Sequence, residues 1–572
     1  MSDRPVVRQR EPAEWDSSVD VAVVGAGAGG LVSALAAAEA GATVVVLEKA
    51  ADYGGTARKS GGGSWVPNNR FMRELGMVER REDVLRYMAR TSRPTRYRPD
   101  APNFGLPAWE FEQLEAFYDD AAATFEHLEA IGALEQFHLP DFPDYYAHLE
   151  EDVTNRGHLI VPRLPNGSPG DGPEMTRQLK AALDERGVPV LMEHRVTSAV
   201  VDDGDRVIGV VADTPAGPRR IGAARGVIFA SGGFTHNKEL CDSLLIGPIF
   251  GGGAAVTNEG DFVPIAQTLG AAMRNMNQFW GCPIIIEHAL AKDTQGLGTH
   301  TLAGDSILFV NRYGVRAMNE KALYSEKIRA MFEWDSQRCE YPNLLMFAVW
   351  DQRTMDQCAG NPYDGGLIRG PGGGDEHVVR GETLEELAGA LDERLASLAE
   401  ATGGVHLADD FAERLGETIE RFNGFALSGR DEDFRRGEAT IEQYFNGISL
   451  NTVGLEEGGA RTVAELSVAG GSTATITVSN PTMYPLSLEG PYCAAILVPG
   501  TLDTKGGAMT DVAGRVLDHA GQPIEGVYAV GNCAASPSAQ GYWGPGCTLG
   551  LIITQAWRTG RAAARAEVRA WR

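Results

Sequence analysis

The chain has 572 residues, too many for one ordinary core, so it reads as two domains or one domain with a large insertion. Its 77 acidic against 51 basic residues give a formal charge of −26 with no basic block, which argues against nucleic acid and anionic membrane surfaces and leaves small molecules as partners. Seven cysteines without a C-x-x-C pair and 11 scattered histidines give neither a disulfide framework nor metal-ligand spacing, so no metal site is assigned.

The N-terminal arm, MSDRPVVRQREPAEWDSS, lacks the apolar run of a signal peptide. The apolar stretch from Leu31 to Leu47 is interrupted by Glu39, Gly41 and Thr43, so no integral membrane segment is expected there and the location is read as cytoplasmic. Residues 19–48 form a βαβ unit: VDVAVVG is a buried strand, AGGLVSALAAAEAG an Ala-rich helix ending at glycine, and TVVVLE a second strand. Gly25, Gly27 and Gly30 make G-x-G-x-x-G between the first strand and the helix, and Glu48 ends the next strand. That placement suits a dinucleotide. The glycines permit a tight turn and close approach to a pyrophosphate, the helix start offers free amides, and the carboxylate suits ribose hydroxyls.

FAD and NAD share this fingerprint, and the decision falls on the loop that follows, KAADYGGTARKSGGGSWVPNN. Gly54, Gly55, Thr56 and the run Ser60, Gly61, Gly62 and Gly63 offer hydroxyls and bare amides suited to a long phosphate–ribityl chain, and Lys49 is assigned to the cofactor with them. Here the sequence resembles the succinate dehydrogenase/fumarate reductase group of flavoproteins, and the resemblance implies FAD. Members that attach FAD covalently use a histidine in this loop, which has none, so non-covalent FAD is expected. No second G-x-G-x-x-G in a βαβ setting is visible, so electrons leave to an acceptor that the sequence does not identify.

Strand-like pieces recur from about 186 to 233, and between 278 and 487 the texture shifts to aromatic clusters, the loop GLIRGPGGGDE and helical patterns such as TLEELAGALDERLASLAE and DDFAERLGETIERFNGF. This is read as an inserted α+β substrate and catalytic domain. Residues 1–277 and 488–572 then form one Rossmann-like α/β FAD-binding domain built from both chain ends. Near the C-terminus GVYAVGN is a buried strand, and GYWGPG leads into a helix starting near Cys547. Gly531, Asn532, Thr548 and Leu549 are therefore assigned to the cofactor, with the positive end of the helix suiting a reduced flavin's negative charge.

Taken together, the stretches VVGAGAGG, GGTARKSGGGSWVPNN, FPDYY, GVIFASGGFTHN, NEKALY, ERFNGFALSGRDEDFRRGE, VPGTLDTKGGAMTD, GVYAVGN and YWGPG resemble the 3-ketosteroid Δ1-dehydrogenase family over nearly the whole chain. The resemblance implies FAD-dependent α,β-dehydrogenation of a cyclic ketone, with hydride transfer to flavin N5. It places the carbonyl-binding pair on the Tyr542 hydroxyl and the Gly546 N–H, the catalytic base on Tyr324 and its supporting tyrosine on Tyr145. Trp543 stands where a small residue is expected in steroid-accepting members. Facing the substrate, its indole would narrow the pocket toward a small ring ketone such as cyclohexanone; the alternative is that it packs inside its own domain. A fumarate-reductase-like ene-reductase is the competing class, and it needs an Arg/His cluster for carboxylates.

Overall fold

The computed structural model describes residues 8–12, 14–292, 302–360, 366–368, 376–449, 461–468 and 472–569. It divides into two compact units, Met1–Ile246 with Ala254–Trp280 and Leu502–Arg572, and Gly247–Gly253 with Gly281–Thr501.

In the first unit the apolar run ending in Val24 has no polar face, which suits a parallel strand covered on both sides. Ser17–Val24 lies parallel to Val44–Leu47 on one side and to Gly217–Phe229 on the other. Gly217–Phe229 changes partners along its length. Val207–Thr214 runs antiparallel to its first half, and beyond a bulge at Ala223/Gly226 the late strand Pro523–Ala529 runs parallel to its second half. Gly226 has φ 148° there, and a Cβ on it would stand 2.8 Å from the Gly526 carbonyl oxygen. The sheet, nine strands among the described residues, is thus an α/β sheet completed by both chain ends.

Helix Ala28–Glu39 is buried from Ala28 to Ala37, and helix Cys547–Ala564 packs along it. Small residues allow that approach: a Cβ on Gly560 would overlap the Ser33 carbonyl oxygen and stand 2.8 Å from the Ala36 Cβ.

The second unit is organised on Tyr492–Thr504, which pairs antiparallel with Met346–Asp351, itself antiparallel to Ile307–Val310. Residues 488–501, expected with the C-terminal segment, belong here, because this strand runs unbroken through Cys493 to Val498 in a buried pairing. Helices Leu384–Ser397 and Phe411–Ser428 cover the sheet with Leu387, Leu391, Phe411, Leu415 and Phe422. The segment read as extra material contains an antiparallel pair, Arg461–Val468 with Ser472–Val478. The glycine run at 370–374 lies outside the described residues.

Two exposed-looking stretches of sequence meet inside this unit as buried charge. Arg436 is fully buried and donates to the carbonyls of Ile307 (2.9 Å), Asp305 (3.1 Å) and Thr482 (2.7 Å) and to Glu320 (3.1 Å). Arg316 bridges Glu320 (2.7 Å) and Asp431 (2.8 Å). Burial works to raise the Glu320 carboxyl, but Arg316 and then Arg436 bring it below its ordinary value.

The helix contact and an open site elsewhere give a paired test. Gly560→Ala is expected to cost about 2–3 kcal/mol, seen as a lower unfolding midpoint. Gly389→Ala, where a Cβ meets nothing within 4 Å in helix Leu384–Ser397, should be neutral or stabilising by up to about 1 kcal/mol.

Candidate active site

The first glycine turn is sterically determined. Gly25 has φ 105°, and a Cβ on it would overlap the Ala230 carbonyl; one on Gly30 would overlap the carbonyl of Gly25. Gly27 caps helix Ala28–Glu39, which has no side-chain cap and no acidic residue in its first turn, so its leading amides are left for an anionic ligand. Gly27 also bridges to Gly54, and the Gly54 N–H donates to the Ala26 carbonyl at 2.8 Å, laying the second loop against the first. Glu48 braces this junction: its carboxylate accepts the N–H of Ala26 at 2.7 Å and of Ala50 at 2.9 Å.

The second loop is uneven in what it offers. Thr56 Oγ1 accepts from the Ala255 N–H and from Asn258, each at 3.1 Å, which orients the hydroxyl and leaves its proton to donate. Gly55 has φ 50° and lies against Gly27. Ser60 closes its own turn, donating to the Ala57 carbonyl (2.7 Å) and accepting from the Gly62 N–H (3.1 Å). Gly61 is exposed, and Gly62, at φ 69°, backs onto Asp171. The Lys49 ammonium is held by Glu259 (3.0 Å) and Asp261 (2.8 Å). A glycine cradle that side chains would fill, capped by open helix amides and an oriented hydroxyl, fits a dinucleotide such as FAD.

The two chain ends touch at the next feature. Gly546 caps helix Cys547–Ala564 at φ 82°, and a Cβ on it would overlap Gly63 and Ser64. Its carbonyl accepts the Trp65 N–H at 3.0 Å, while its own N–H has no partner among the described residues. Thr548 and Leu549 stand in the first turn of that helix.

Beside it lies a residue not anticipated from the sequence. Asp503, 1% exposed, accepts from the N–H groups of Gly233 (3.2 Å) and Thr504 (2.8 Å, side-chain Oδ1) and from Thr235 (3.1 Å), Asn258 (2.7 Å) and Asn532 (2.9 Å). Burial raises this carboxyl, with the donors acting against the rise. Asn532, expected at the cofactor, thus donates to Asp503 and accepts from Trp280 Nε1 at 3.3 Å. Trp280 stands edge-on to Tyr542, with centroids 4.7 Å apart, and Tyr145 meets Tyr542 from another direction at 5.1 Å and 71°. The Tyr145 N–H donates to the Trp543 carbonyl at 3.0 Å, and the Tyr87 hydroxyl donates to the same oxygen.

Trp543 packs against neighbours in its own unit. Its indole is fully buried, packs against Trp65 (5.6 Å) and Phe117 (5.7 Å), and donates to Ser92 Oγ at 3.1 Å. Tyr324 lies in the second unit, 3% exposed, as the first residue of helix Tyr324–Met331, with the Glu320 network just before it. Among the described residues no group of side chains could hold a metal, and no helix is long and apolar enough to cross a membrane.

Such a cradle, joined to a tyrosine-lined turn, defines a flavin-dependent oxidoreductase. Residues 20–549 match the model of the FAD binding domain family. The chain is 31% identical to 4-oxocyclohexanecarboxylate 2-dehydrogenase of Sinomonas cyclohexanicum, over 96% of this chain and 93% of that one. It is 30% identical to 3-oxosteroid 1-dehydrogenase of Mycolicibacterium smegmatis, over 94% and 95%. The solved structure of 3-ketosteroid delta1-dehydrogenase from Sterolibacterium denitrificans in complex with 1,4-androstadiene-3,17-dione superposes with a TM-score of 0.75 at 25% identity, covering 96% and 99%. The chain belongs to the 3-ketosteroid Δ1-dehydrogenase family, and it is an FAD-dependent oxidoreductase acting on CH–CH groups.

The loop bearing Tyr145 rests on buried charge that sets a pH response. His158 lies between Glu79 (2.5 Å) and Asp144 (2.8 Å); burial works to lower its pKa, but the two carboxylates carry it well above its ordinary value. Burial, then Asp144, pushes Asp152 up to about 8. Both groups bind protons more tightly folded than unfolded, so each contributes stability at low pH that is lost as pH rises, for Asp152 between its ordinary value and about 8. The thermal midpoint should fall between pH 5 and about 8, and Asp152→Asn should flatten that fall.

Proposed function

We propose that the protein removes two hydrogens from adjacent ring carbons, α and β to a ketone. The observation that carries this reading is the edge-on pairing of Tyr542 with Tyr145, in a turn whose Gly546 N–H is open among the described residues. Loss of the α-proton puts negative charge on the ketone oxygen, and two fixed donors at that oxygen lower the barrier most. The Tyr542 hydroxyl and the Gly546 N–H are those donors. Gly546 serves because it lacks a side chain and its amide is already aimed by the αL turn.

Tyr324 takes the α-proton and Tyr145 supports it. A tyrosine near its reference pKa of about 10 is ionised in roughly one molecule in 10³ at pH 7, a deficit of about 4 kcal/mol. A hydrogen bond donated to the Tyr324 oxygen, the role read for Tyr145, would favour the anion and offset part of that deficit. Gly25, Gly27, Gly30, Gly55, Thr56 and the start of helix Cys547–Ala564 hold FAD, which when bound accepts the β-hydrogen and its electron pair. The substrate is a ring ketone, as the names of the relatives on 4-oxocyclohexanecarboxylate and on 3-oxosteroids both suggest. Around Tyr542 its own unit sets Tyr145, Trp280 and Lys505, and this aromatic setting supports a ketone over the Arg/His clamp a fumarate-reducing role needs.

Anaerobic addition of androst-4-ene-3,17-dione, cyclohexanone and 4-oxocyclohexanecarboxylate should bleach the visible flavin spectrum with at least one of them. No bleaching with any of the three overturns the reading. Tyr324→Phe should retain flavin yet lose about three orders of magnitude in kcat, in line with its ionisation deficit. Tyr542→Phe should lose about 10²–10³.

A further inference from the structure

Behind Tyr542 lies a buried ammonium that the proposed chemistry has not yet used. Lys505 is 1% exposed and donates to the carbonyl oxygens of Ala539 (3.0 Å) and Gly541 (2.6 Å). The second of these belongs to the peptide bond that leads into Tyr542. The ammonium also stands 3.6 Å from the centroid of Trp280, the ring edge-on to Tyr542, and 6.0 Å from the centroid of Tyr542 itself. Two carbonyls and a ring of the turn, with the neighbouring Trp280, are thus referred to one charged atom.

Carbonyl oxygens and an aromatic face satisfy an ammonium without cancelling its charge. Titratable groups stand near it. Asp503, two residues earlier, spends its oxygens on Gly233, Thr235, Asn258, Thr504 and Asn532. Cys547 opens the final helix, and burial pushes its thiol up to about 12 while the Lys505 charge works against that rise, so the field of the lysine reaches the helix start. Tyr542 is near the ammonium, and Tyr145 packs on Tyr542.

We infer that Lys505 is the positioning residue of the carbonyl site: it fixes the Gly541–Tyr542 peptide through its carbonyl and makes the site favour an enolate oxygen over a ketone oxygen. A neutral side chain of similar length can keep the first role only in part and loses the second. An arginine keeps the charge. The inference rests on the carbonyl-site reading of Tyr542 and Gly546.

The test uses 4-nitrophenol, whose anion carries its charge on a ring oxygen as an enolate does and absorbs visibly. With FAD-loaded protein, the ionisation of bound 4-nitrophenol is followed against pH, and cyclohexanone affinity is measured by competition, in wild type, Lys505→Met, Lys505→Gln and Lys505→Arg. In the wild type the bound phenol should ionise at lower pH than the free one. Lys505→Met should lose at least about tenfold in that ionisation constant, one pH unit, with little change for cyclohexanone. Lys505→Arg should retain the shift, and Lys505→Gln replaces the Met variant if that fails to hold flavin. A wild type without the shift, an arginine variant matching the neutral ones, or equal losses for anion and ketone would overturn the role of Lys505. A wild type that binds neither probe overturns the carbonyl-site reading instead.

Discussion

A single carboxylate, taken almost wholly out of water, ties the flavin-binding unit together. Isolating an ion from solvent costs several kcal/mol, and the cost is met only where donors surround it. Asp503 has donors from Gly233 and Thr235 after the central strand, from Asn258, and from Asn532 at the end of the last strand. These segments are far apart in sequence, and each must be in place for the carboxylate to be satisfied. From Asn532 the order continues through Trp280 to Tyr542, so one buried charge sets the location of a hydroxyl several side chains away.

What the sequence made legible follows from where the physics is local. The glycines at 25 and 30 announce themselves because a Cβ would collide with nearby backbone, and the Ala-rich helix because its neighbour comes close. Glu48 was legible as a residue of the dinucleotide turn, although it grips the turn's own amides. The ion pairs of Lys49 were not, since its carboxylate partners at 259 and 261 come from remote chain. The orientation of Trp543 depends on Ser92, Trp65 and Phe117, and neither spacing nor composition reveals such a cage. Asp503 and Lys505 both lie in VPGTLDTKGGAMTD, so the pattern marked their segment while their burial stayed invisible. The end of the second unit was misplaced for a related reason: an apolar strand carries no mark where one core stops and the next begins.

The most distinctive stretch, ERFNGFALSGRDEDFRRGE, owes its character to buried charge rather than to reacting groups. Asp431 and Arg436 meet Arg316 and Glu320 in a closed network with little exposure. Removing one partner of such a network leaves an uncompensated charge, so its members are constrained together. Glu320 also belongs to NEKALY, which places the anchor four residues before Tyr324. The helix bearing that tyrosine thus begins from a fixed point.

The late strand Pro523–Ala529 and the helix after it bear on how the protein is made. The second half of Gly217–Phe229 has no neighbour on that side until Pro523–Ala529 has left the ribosome, and Trp65 lacks its Gly546 contact until then. A nascent chain therefore carries an open sheet edge and an incomplete cofactor cradle through most of its synthesis, the condition in which strand edges invite aggregation. The order of the chain thus makes the cofactor cradle among the last parts of this unit to be completed.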